Sequence, residues 1–150
     1  TPLEEIRGVV IHYVGNPDTS AMANRSYFAS LALTGETYAS SHFIVGLEGE
    51  VIACVPLTEI AYASNDRNGD TVSVEVCHPD ETGEYASETY ERVVELTAWL
   101  CGTFDLEAEE DVSRHYDVTG KICPKYYVEH PEAWEQLKAD VAQRCAAQKK

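Results

Sequence analysis

The segment Arg114-His115-Tyr116-Asp117-Val118-Thr119-Gly120-Lys121-Ile122-Cys123-Pro124 organises the rest of the chain, because it places a histidine and a cysteine on either side of a short turn. Histidine and cysteine are common zinc ligands. Asp117, Thr119 and Gly120 favour turns, so the chain can double back and aim both side chains at one point. Pro124 ends any regular structure before it. Two ligands do not complete a metal site, so a third is expected from elsewhere.

The best candidate for the third ligand is His12, in the run Gly8-Val9-Val10-Ile11-His12-Tyr13. The β-branched residues before it predict a strand over residues 7–12 that is covered on both faces. His12 then lies at the carboxyl end of that strand, where α/β sheets usually present functional groups. Taken alone, however, His12 is better explained as a polar residue that caps the strand through a hydrogen bond.

The remaining pattern predicts an α/β fold within one domain, residues 1–150, which is long enough to bury its own core. Apolar spacing indicates helices over about residues 20–33, 87–104 and 131–147. Ser20 or Thr19 is expected to cap the first helix, with Met22, Tyr27 and Leu31 in its buried stripe. Residues 42–47 and 51–55 read as a β-hairpin around Glu48-Gly49-Glu50. Together these elements predict a central mixed β-sheet flanked by about three α-helices.

Three further features complete the prediction. Ser87 resembles a residue of the N-terminal cap of its helix, and residues 105–111 are acidic enough to read as a solvated connection. Residues 71–77 alternate as a strand, with Glu75 on the face opposite the valines. Glutamate is unusual within a strand. Without further context we favour an edge strand with a solvated face, and the functional alternative is a carboxylate held rigidly in a cleft.

Composition limits the possible partners. The net charge is −15, from 11 basic and 26 acidic residues. Nucleic acid is excluded as an expected partner, because phosphate binding needs clustered lysine and arginine. An acidic surface also matches a polyanionic cell wall poorly, so attachment there would depend on a separate module or on the cleft itself. No apolar run reaches the ~20 residues of a membrane span, and no signal-peptide pattern is seen.

The five cysteines do not suggest a disulfide framework, because their number is odd and their spacing is irregular. We expect four of them to be buried free thiols: Cys54, Cys77, Cys101 and Cys145. Cys123 differs, because it lies in a loop beside other reactive residue types.

His12, His115 and Cys123 together match a catalytic zinc, which takes three protein ligands and leaves its fourth position to water. A purely structural zinc site would need a fourth protein ligand, and no suitable residue stands nearby in the sequence. Amide hydrolysis also needs a base and a charge that stabilises the oxyanion. Glu75 is the natural base. Lys121 is the natural electrostatic partner, because residues two apart in an extended turn project to the same side.

The ordered set of motifs resembles the zinc-dependent N-acetylmuramoyl-L-alanine amidases, a family shared by phage endolysins, bacterial autolysins and animal peptidoglycan recognition proteins. The motif with the highest specificity is Lys-x-Cys-Pro with a histidine upstream. Four features, running from residue 10 to residue 124, carry the resemblance: Val10-Ile11-His12-Tyr13; Ser40 to Val45 followed by Glu48 to Ile52; Val72-Ser73-Val74-Glu75; and His115-Tyr116-Asp117 with Lys121-Ile122-Cys123-Pro124.

The resemblance implies that His12, His115 and Cys123 bind Zn²⁺, that Glu75 is the acid and base, and that Lys121 assists. It implies cleavage of the amide between N-acetylmuramic acid and the L-alanine of the stem peptide, at the bacterial cell wall. Peptidoglycan is then the expected partner, with no membrane or nucleic acid. We expect a monomer that can belong to a longer protein with a wall-binding module.

Two positions depart from some relatives. Ser41 stands where some members carry a tyrosine that contributes to the site, and Tyr62 to Asn65 fall where several have a histidine near the substrate. Asn65 and His42 are candidates for lining the cleft. For His42, a role as a packed polar residue is an equal alternative.

Three rival functions stay open. The first is a binding module that holds muropeptide without cutting it. Non-catalytic relatives typically lose the cysteine ligand, whereas Cys123 is present here. The second is a zinc peptidase that cuts within the stem peptide, which the sequence hardly distinguishes. The third is a structural zinc protein, against which Glu75 and Lys121 argue.

Overall fold

A computed structural model defines residues 3, 5–34, 40–63 and 67–148, with their side chains except at residues 30–34. Five strands form one mixed sheet: β1 (Gly8–Tyr13), β2 (Phe43–Val45), β3 (Val51–Ala53), β4 (Thr71–Val76) and β5 (Val112–Arg114). Their order across the sheet is β3-β2-β4-β1-β5. Only the β2–β3 hairpin is antiparallel among these pairs, since β1 runs parallel to β4 and β5, and β2 runs parallel to β4.

Three long and three short helices accompany the sheet: α1 (Ala21–Thr34), α2 (Ser87–Phe104), α3 (Ala108–Asp111), α4 (His115–Thr119), α5 (Lys125–Glu129) and α6 (Pro131–Gln148). The predicted α/β fold, with a mixed sheet and three principal helices, is confirmed. The short helices were not predicted. Residues 105–111, expected to be a solvated connection, contain α3, and the turn after His115 is a helical turn. No helix in the described ranges is long and apolar enough to cross a membrane.

The sheet has two unlike faces. One face is apolar and packs against α2 and α6 to form the main core, which includes Val9, Ile11 and Val74 from the central strands. Burying each such side chain stabilises the fold by about 1.5–3 kcal/mol. The opposite face carries His12 and Glu75, which occupy paired positions on β1 and β4. A site built on these two side chains therefore lies on this second face.

The position of β4 corrects one expectation. It is the middle strand of the five, with β2 on one side and β1 on the other, so the favoured interpretation as an edge strand is wrong. Val72, Val74 and Val76 are fully buried in the main core, as their alternation predicts. Glu75 thus projects from the middle strand of the sheet rather than from a solvated edge.

Helix α1 begins as predicted but turns a different side to the sheet. The Ser20 hydroxyl accepts a hydrogen bond from the Ala23 N–H at 3.1 Å, which caps the helix. Ala21 and Phe28 pack against the sheet, whereas Met22 and Tyr27 are 56% and 59% exposed, so the expected buried stripe is wrong for these two residues. The Leu31 side chain lies outside the described residues.

The difference in α1 has a local cause. The buried stripe includes the polar residue Asn24, whose side-chain amide donates to the Thr19 hydroxyl at 2.9 Å and to the Ser20 carbonyl at 2.8 Å. A pattern of hydrophobic residues cannot predict that a polar side chain is buried when its hydrogen bonds are made inside the protein. Helix α2 also differs at its start, because Ala86 occupies the N-cap position without a side-chain cap and Ser87 is the first helical residue.

Candidate metal centre

His12 and Glu75 lie side by side on the two central strands. The register of the parallel β1–β4 pair places His12 opposite Glu75, so both side chains project from the same face of the sheet. The Glu75 Oε1 atom lies 3.9 Å from His12 Nδ1. His12 is almost fully buried, and the Glu75 side chain is 13% exposed. The sheet itself therefore fixes the spacing between a candidate ligand and a candidate base.

The segment after β5 brings the other two candidate ligands to the same point. Strand β5 runs parallel to β1 and pairs Arg114 with Ile11, so His115 emerges next to His12. Gly120 then ends α4 with a left-handed backbone (φ 84°), a conformation that favours glycine. The chain turns back, and the Tyr116 N–H donates to the Cys123 carbonyl at 3.0 Å. This hydrogen bond ties the cysteine to the helix that carries His115.

The sequence prediction that these three residues converge agrees with the geometry. The candidate ligand atoms of His12, His115 and Cys123 all lie within 4.8 Å of one another, and all three residues are buried. Cys123 Sγ is 3.8 Å from His12 Nδ1, and the two imidazole rings are 4.8 Å apart at 67°. Zinc bonds of about 2.0–2.3 Å at tetrahedral angles separate ligand atoms by roughly 3.5 Å. Small side-chain shifts would thus complete a metal site.

The chemistry of the donors also fits a divalent cation. Burial lowers the pKa of His12 to about 3, with contributions from the charges of His115 and Lys121, so its imidazole is neutral and able to bind metal. Burial, followed by the charge of Glu75, raises the pKa of the Cys123 thiol to about 12. A thiolate at this position therefore needs a compensating positive charge, which a zinc ion would supply.

Glu75 has the properties of a proton acceptor and donor near neutral pH. Burial raises its pKa to about 8, and the positive charge of Lys121 opposes that rise. A carboxyl group whose pKa lies near the working pH can both take and return a proton. The central strand fixes the backbone from which this carboxyl group extends.

Lys121 is exposed, yet its charge reaches the whole site. Burial lowers the pKa of His12 and His115, and the charge of Lys121 lowers both further. For Glu75 and Cys123 the same charge opposes the rise in pKa that burial causes. The backbone N–H of Lys121 donates to the Thr119 hydroxyl at 3.3 Å, which shapes the turn after α4. Lys121 is therefore an exposed positive charge that lies close enough to act on every member of the cluster.

His42 belongs to the interior and does not line the cleft. It is fully buried, its Nδ1 accepts the Ser73 N–H at 3.0 Å, and its Nε2 faces the Glu59 carbonyl at 2.7 Å. Since Nδ1 accepts, Nε2 carries the proton and donates. Of its two interpretations, the packed polar residue fits the structure. The other proposed cleft residue, Asn65, lies outside the described residues.

Sequence reasoning did not predict a group of hydrogen bonds around His115, called here the Arg114–Asp117 clamp. The Arg114 guanidinium donates to both carboxylate oxygens of Asp117, at 2.8 and 3.1 Å, and to the Tyr127 carbonyl at 2.9 Å. The Arg114 N–H also donates to Asp117 at 2.9 Å. These bonds join β5, α4 and α5 around the residue that carries a candidate ligand. The sequence signal for this clamp was an arginine and an aspartate three residues apart, with a histidine between them.

We expect Arg114→Met to lower the free energy of unfolding by about 1.5–3 kcal/mol, because the hydrogen bonds of the guanidinium are lost and Asp117 keeps only its bond from the backbone N–H of residue 114. Zinc affinity should fall as well, since α4 is loosened. Chemical denaturation and chelator competition measure the two effects. Arg7→Met is the control. Its ion pair with Glu5 is 65% exposed on both sides and screened by solvent, so no measurable change in stability or zinc affinity is expected. Equal losses of stability and zinc affinity in both variants would contradict the stabilising role of the clamp.

The fold and this cluster define an α/β domain with a buried His/His/Cys centre that is suited to zinc. Residues 2–126 match the family described as N-acetylmuramoyl-L-alanine amidase. The chain belongs to this family.

Curated relatives agree with that assignment. The chain is 31% identical over 156 residues to the N-acetylmuramoyl-L-alanine amidase BlyA of Bacillus subtilis strain 168, covering 91% of this chain and 41% of that protein. It is 36% identical over 138 residues to a probable N-acetylmuramoyl-L-alanine amidase of Bacillus licheniformis, covering 84% and 38%. The chain thus spans about two fifths of the length of the curated relatives it matches.

Three solved structures share the fold. The catalytic domain of PlyG superposes with a TM-score of 0.79 at 22% identity, covering 95% of this chain and 84% of that one. PlyL gives a TM-score of 0.77 at 22% identity, covering 93% and 86%. The Staphylococcus aureus hydrolase AmiA, solved in complex with its ligand, gives 0.77 at 19% identity, covering 97% and 76%.

Proposed function

We propose that this domain is a zinc-dependent peptidoglycan hydrolase that cleaves the amide bond between N-acetylmuramic acid and the L-alanine of the stem peptide. The observation that carries the proposal is the convergence of three buried ligand atoms beside a carboxylate on the central strand. Membership of the amidase family supports the reaction class. The relatives named above are themselves called N-acetylmuramoyl-L-alanine amidases.

In this proposal His12, His115 and Cys123 hold the zinc ion. When bound, zinc supplies a Lewis acid that activates water and polarises a carbonyl group at neutral pH. The three residues are buried and held by the sheet, by α4 and by the turn after Gly120, so they offer a preorganised set of ligands. Three protein ligands leave room for substrate and water, which is the arrangement of a catalytic site rather than a structural one.

Glu75 is proposed to move the protons. Its carboxylate takes a proton from the attacking water as the water oxygen bonds to the amide carbon. The same proton then passes to the amide nitrogen as the carbon–nitrogen bond breaks. The products are a lactyl carboxylate on the sugar and a peptide with a free amino group on L-alanine. A pKa raised toward neutrality suits both halves of this transfer.

Lys121 is proposed to stabilise the negative charge that develops on the carbonyl oxygen. Its side chain is exposed, and its ammonium group acts electrostatically on every member of the cluster. Because the Cys123 thiolate cancels part of the charge of a bound zinc ion, a second positive charge has more to contribute here.

The expected surroundings of the domain follow from this activity. Its substrate is the muropeptide of the bacterial cell wall, and it acts there either outside the cell or after release on lysis. In the relatives, the matched region makes up about two fifths of the protein, which is compatible with an accompanying wall-binding module. A monomer with no nucleic-acid or membrane partner remains our prediction.

Mass spectrometry of the soluble products from purified peptidoglycan tests the proposal directly. The digest is run with the zinc-loaded protein and again after a chelator. Intact stem peptides with a free N-terminal L-alanine are expected, and chelation should abolish their release. Adding zinc back after chelation is the control for indirect effects of the chelator.

Other outcomes would redirect the assignment. Fragments cut inside the stem peptide would make the protein a zinc peptidase. Binding of muropeptide without any release, at one equivalent of zinc, would make it a binding module. Release that persists in the metal-free protein would contradict the role of zinc altogether.

A further inference from the structure

We propose that a groove on the far side of the sheet from the metal centre binds neutral N-acetylhexosamine units of a glycan strand, with Trp99 as the surface on which a sugar ring packs. This inference rests on the proposed function, because it names a second contact with the same wall polymer. The groove has a volume of about 550 Å³ and lies between α2, strand β3 and the C-terminal end of α6. Sites for small molecules have volumes of roughly 300–1,000 Å³.

Trp99 is the exposed aromatic residue of this groove. Four lining residues recur at helical spacing and therefore share one side of α2: Arg92, Glu95, Leu96 and Trp99. Trp99 is 49% exposed, whereas Trp134, the other tryptophan of the chain, is 3% exposed. The Trp99 indole N–H has no hydrogen-bond partner among the described residues. A large ring with a free donor can pack on the apolar face of a sugar and hydrogen-bond to its edge.

The polar groups around Trp99 are mainly hydrogen-bond donors. The Glu95 carboxylate is shared by two guanidinium groups, that of Arg92 at 2.7 Å and that of Arg144 at 3.4 Å. Arg92 Nε also donates to the Gly49 carbonyl at 3.0 Å, which fixes this side chain against the β2–β3 hairpin. Because each guanidinium carries five N–H donors, several remain available to a ligand. The hydroxyl and acetamido oxygens of a sugar are matching acceptors.

Charge favours a neutral occupant over a polyanion. The net charge of the chain is −15, and such a field repels a long anionic polymer, whereas it does not act on an uncharged sugar. Val51 is 39% exposed and Leu96 is half-buried, so both offer an apolar contact to an acetamido methyl group. A protein partner fits less well, because a stable interface covers about 800 Å² on each partner, far more than these two residues and Trp99 present.

A second hollow adjoins the groove and extends its surface. It has a volume of about 340 Å³ and lies between α2 and α6. Arg144 lines both hollows, and Tyr90 and Asp140 line the second one, where the Tyr90 hydroxyl donates to the Asp140 carboxylate. Each hollow thus combines an aromatic ring with polar groups. Two such hollows in contact suit a chain of sugar units more than a single small molecule.

The position of the groove separates it from the bond that is cut. Helices α2 and α6 cover the apolar face of the sheet, and His12 and Glu75 project from the other face. A small substrate at the metal centre therefore does not reach Trp99, whereas a neighbouring strand of the wall can occupy the groove. Binding there would raise the local concentration of the domain at its substrate. Such an anchor would compensate for the poor match between an acidic surface and the wall.

Titration of the zinc-loaded protein with the soluble tetramer of N-acetylglucosamine tests the groove. Saturable binding with a change in tryptophan emission is expected, because Trp99 is the exposed one of the two tryptophans. Measured by calorimetry, Trp99→Ala should bind the tetramer about 5- to 30-fold more weakly, the usual loss when an anchoring aromatic residue is removed. Trp99→Phe should retain part of the affinity. Tyr27→Ala removes a 59% exposed ring from α1 and is the matched control, which should bind as the wild type does.

Kinetics on two substrates test the role of the groove in the wall. On insoluble peptidoglycan at limiting substrate, Trp99→Ala should be slower than the wild type by about the same 5- to 30-fold. On a soluble muramyl tetrapeptide its kcat and KM should equal those of the wild type. An unchanged affinity for the tetramer, or equal rates on insoluble peptidoglycan, would overturn the proposal. So would an equal loss of rate on both substrates, because the effect would then belong to the active site.

Failure of the groove can be told apart from failure of the proposed function. If the wild type releases nothing from either substrate, the proposed hydrolysis is wrong, and titration with the tetramer still decides whether the groove binds sugar. Analytical ultracentrifugation tests the remaining occupant. A wild-type dimer that dissociates in Trp99→Ala would overturn the proposal, because a second copy of the chain would then cover the groove. Monomers of both proteins would support a groove that is open to the glycan.

Discussion

Replacement of Glu75 by glutamine is expected to lower kcat about 10²- to 10⁴-fold while leaving zinc bound. General acid–base catalysis by a positioned side chain contributes an effect of this size. Glutamine keeps the volume and the polar character of the side chain in a site that is only 13% exposed, so the sheet should not rearrange. What it removes is the carboxylate that we propose accepts the proton from water.

The measurement pairs steady-state kinetics on a soluble muropeptide with metal analysis of the same sample. Glu132→Gln is the control, because that carboxylate lies in the first turn of α6, on the other side of the sheet. Its kinetics and zinc content should equal those of the wild type. Near-normal turnover in Glu75→Gln would show that another group is the base, and loss of zinc would show that Glu75 supports the metal instead.

The fold could be predicted from sequence where a pattern is local. The strand ending near His12, the β2–β3 hairpin and the starts and ends of α2 and α6 follow from periodicity and turn chemistry. The order of the strands could not be predicted in the same way, because it depends on contacts between residues far apart in the chain. The clearest case is β4, which reads as an edge strand by composition yet lies in the middle of the sheet.

The same distinction explains the errors in α1 and at His42. A polar residue is placed inside when its hydrogen bonds are satisfied there, and those partners are invisible in a linear pattern. Asn24 finds them in the turn before α1, and His42 finds them in the backbone of Ser73 and Glu59. The short helices escaped prediction because four or five residues show no period.

The candidate site was predictable because its chemistry is concentrated in a few residue types. A histidine after a β-branched run, a histidine before a turn and a cysteine after it allow few functions other than metal binding. Their convergence needed the parallel pairing of β1 with β5, which the sequence does not state. The Arg114–Asp117 clamp could not be predicted from the sequence, since it is defined by which side chains and carbonyl groups meet in the folded chain.

Replacement of Cys123 by serine is expected to weaken zinc binding by more than about 100-fold and to remove activity in proportion. Substitution of outer-shell residues already costs about 10–100-fold in metal affinity, and a direct ligand should cost more. Serine is nearly isosteric, but its hydroxyl does not provide the soft, anionic sulfur that zinc favours. Chelator competition measures the affinity, and kinetics at increasing zinc should show partial recovery of activity.

Cys145→Ser separates this effect from the general loss of a buried thiol. Cys145 is buried on α6, in the core on the side of the sheet away from His12, so its replacement should cost stability without changing zinc affinity. Thermal unfolding with and without zinc reads both quantities, because a ligand that binds only the folded state at 100 times its Kd stabilises it by about 2.7 kcal/mol. The wild type and Cys145→Ser should show this shift, whereas Cys123→Ser should not show it at the same zinc concentration. Tight, stoichiometric zinc binding by Cys123→Ser would show that the cysteine is not a zinc ligand. It would also remove the reason to expect Lys121 to supplement a zinc charge that a thiolate partly cancels.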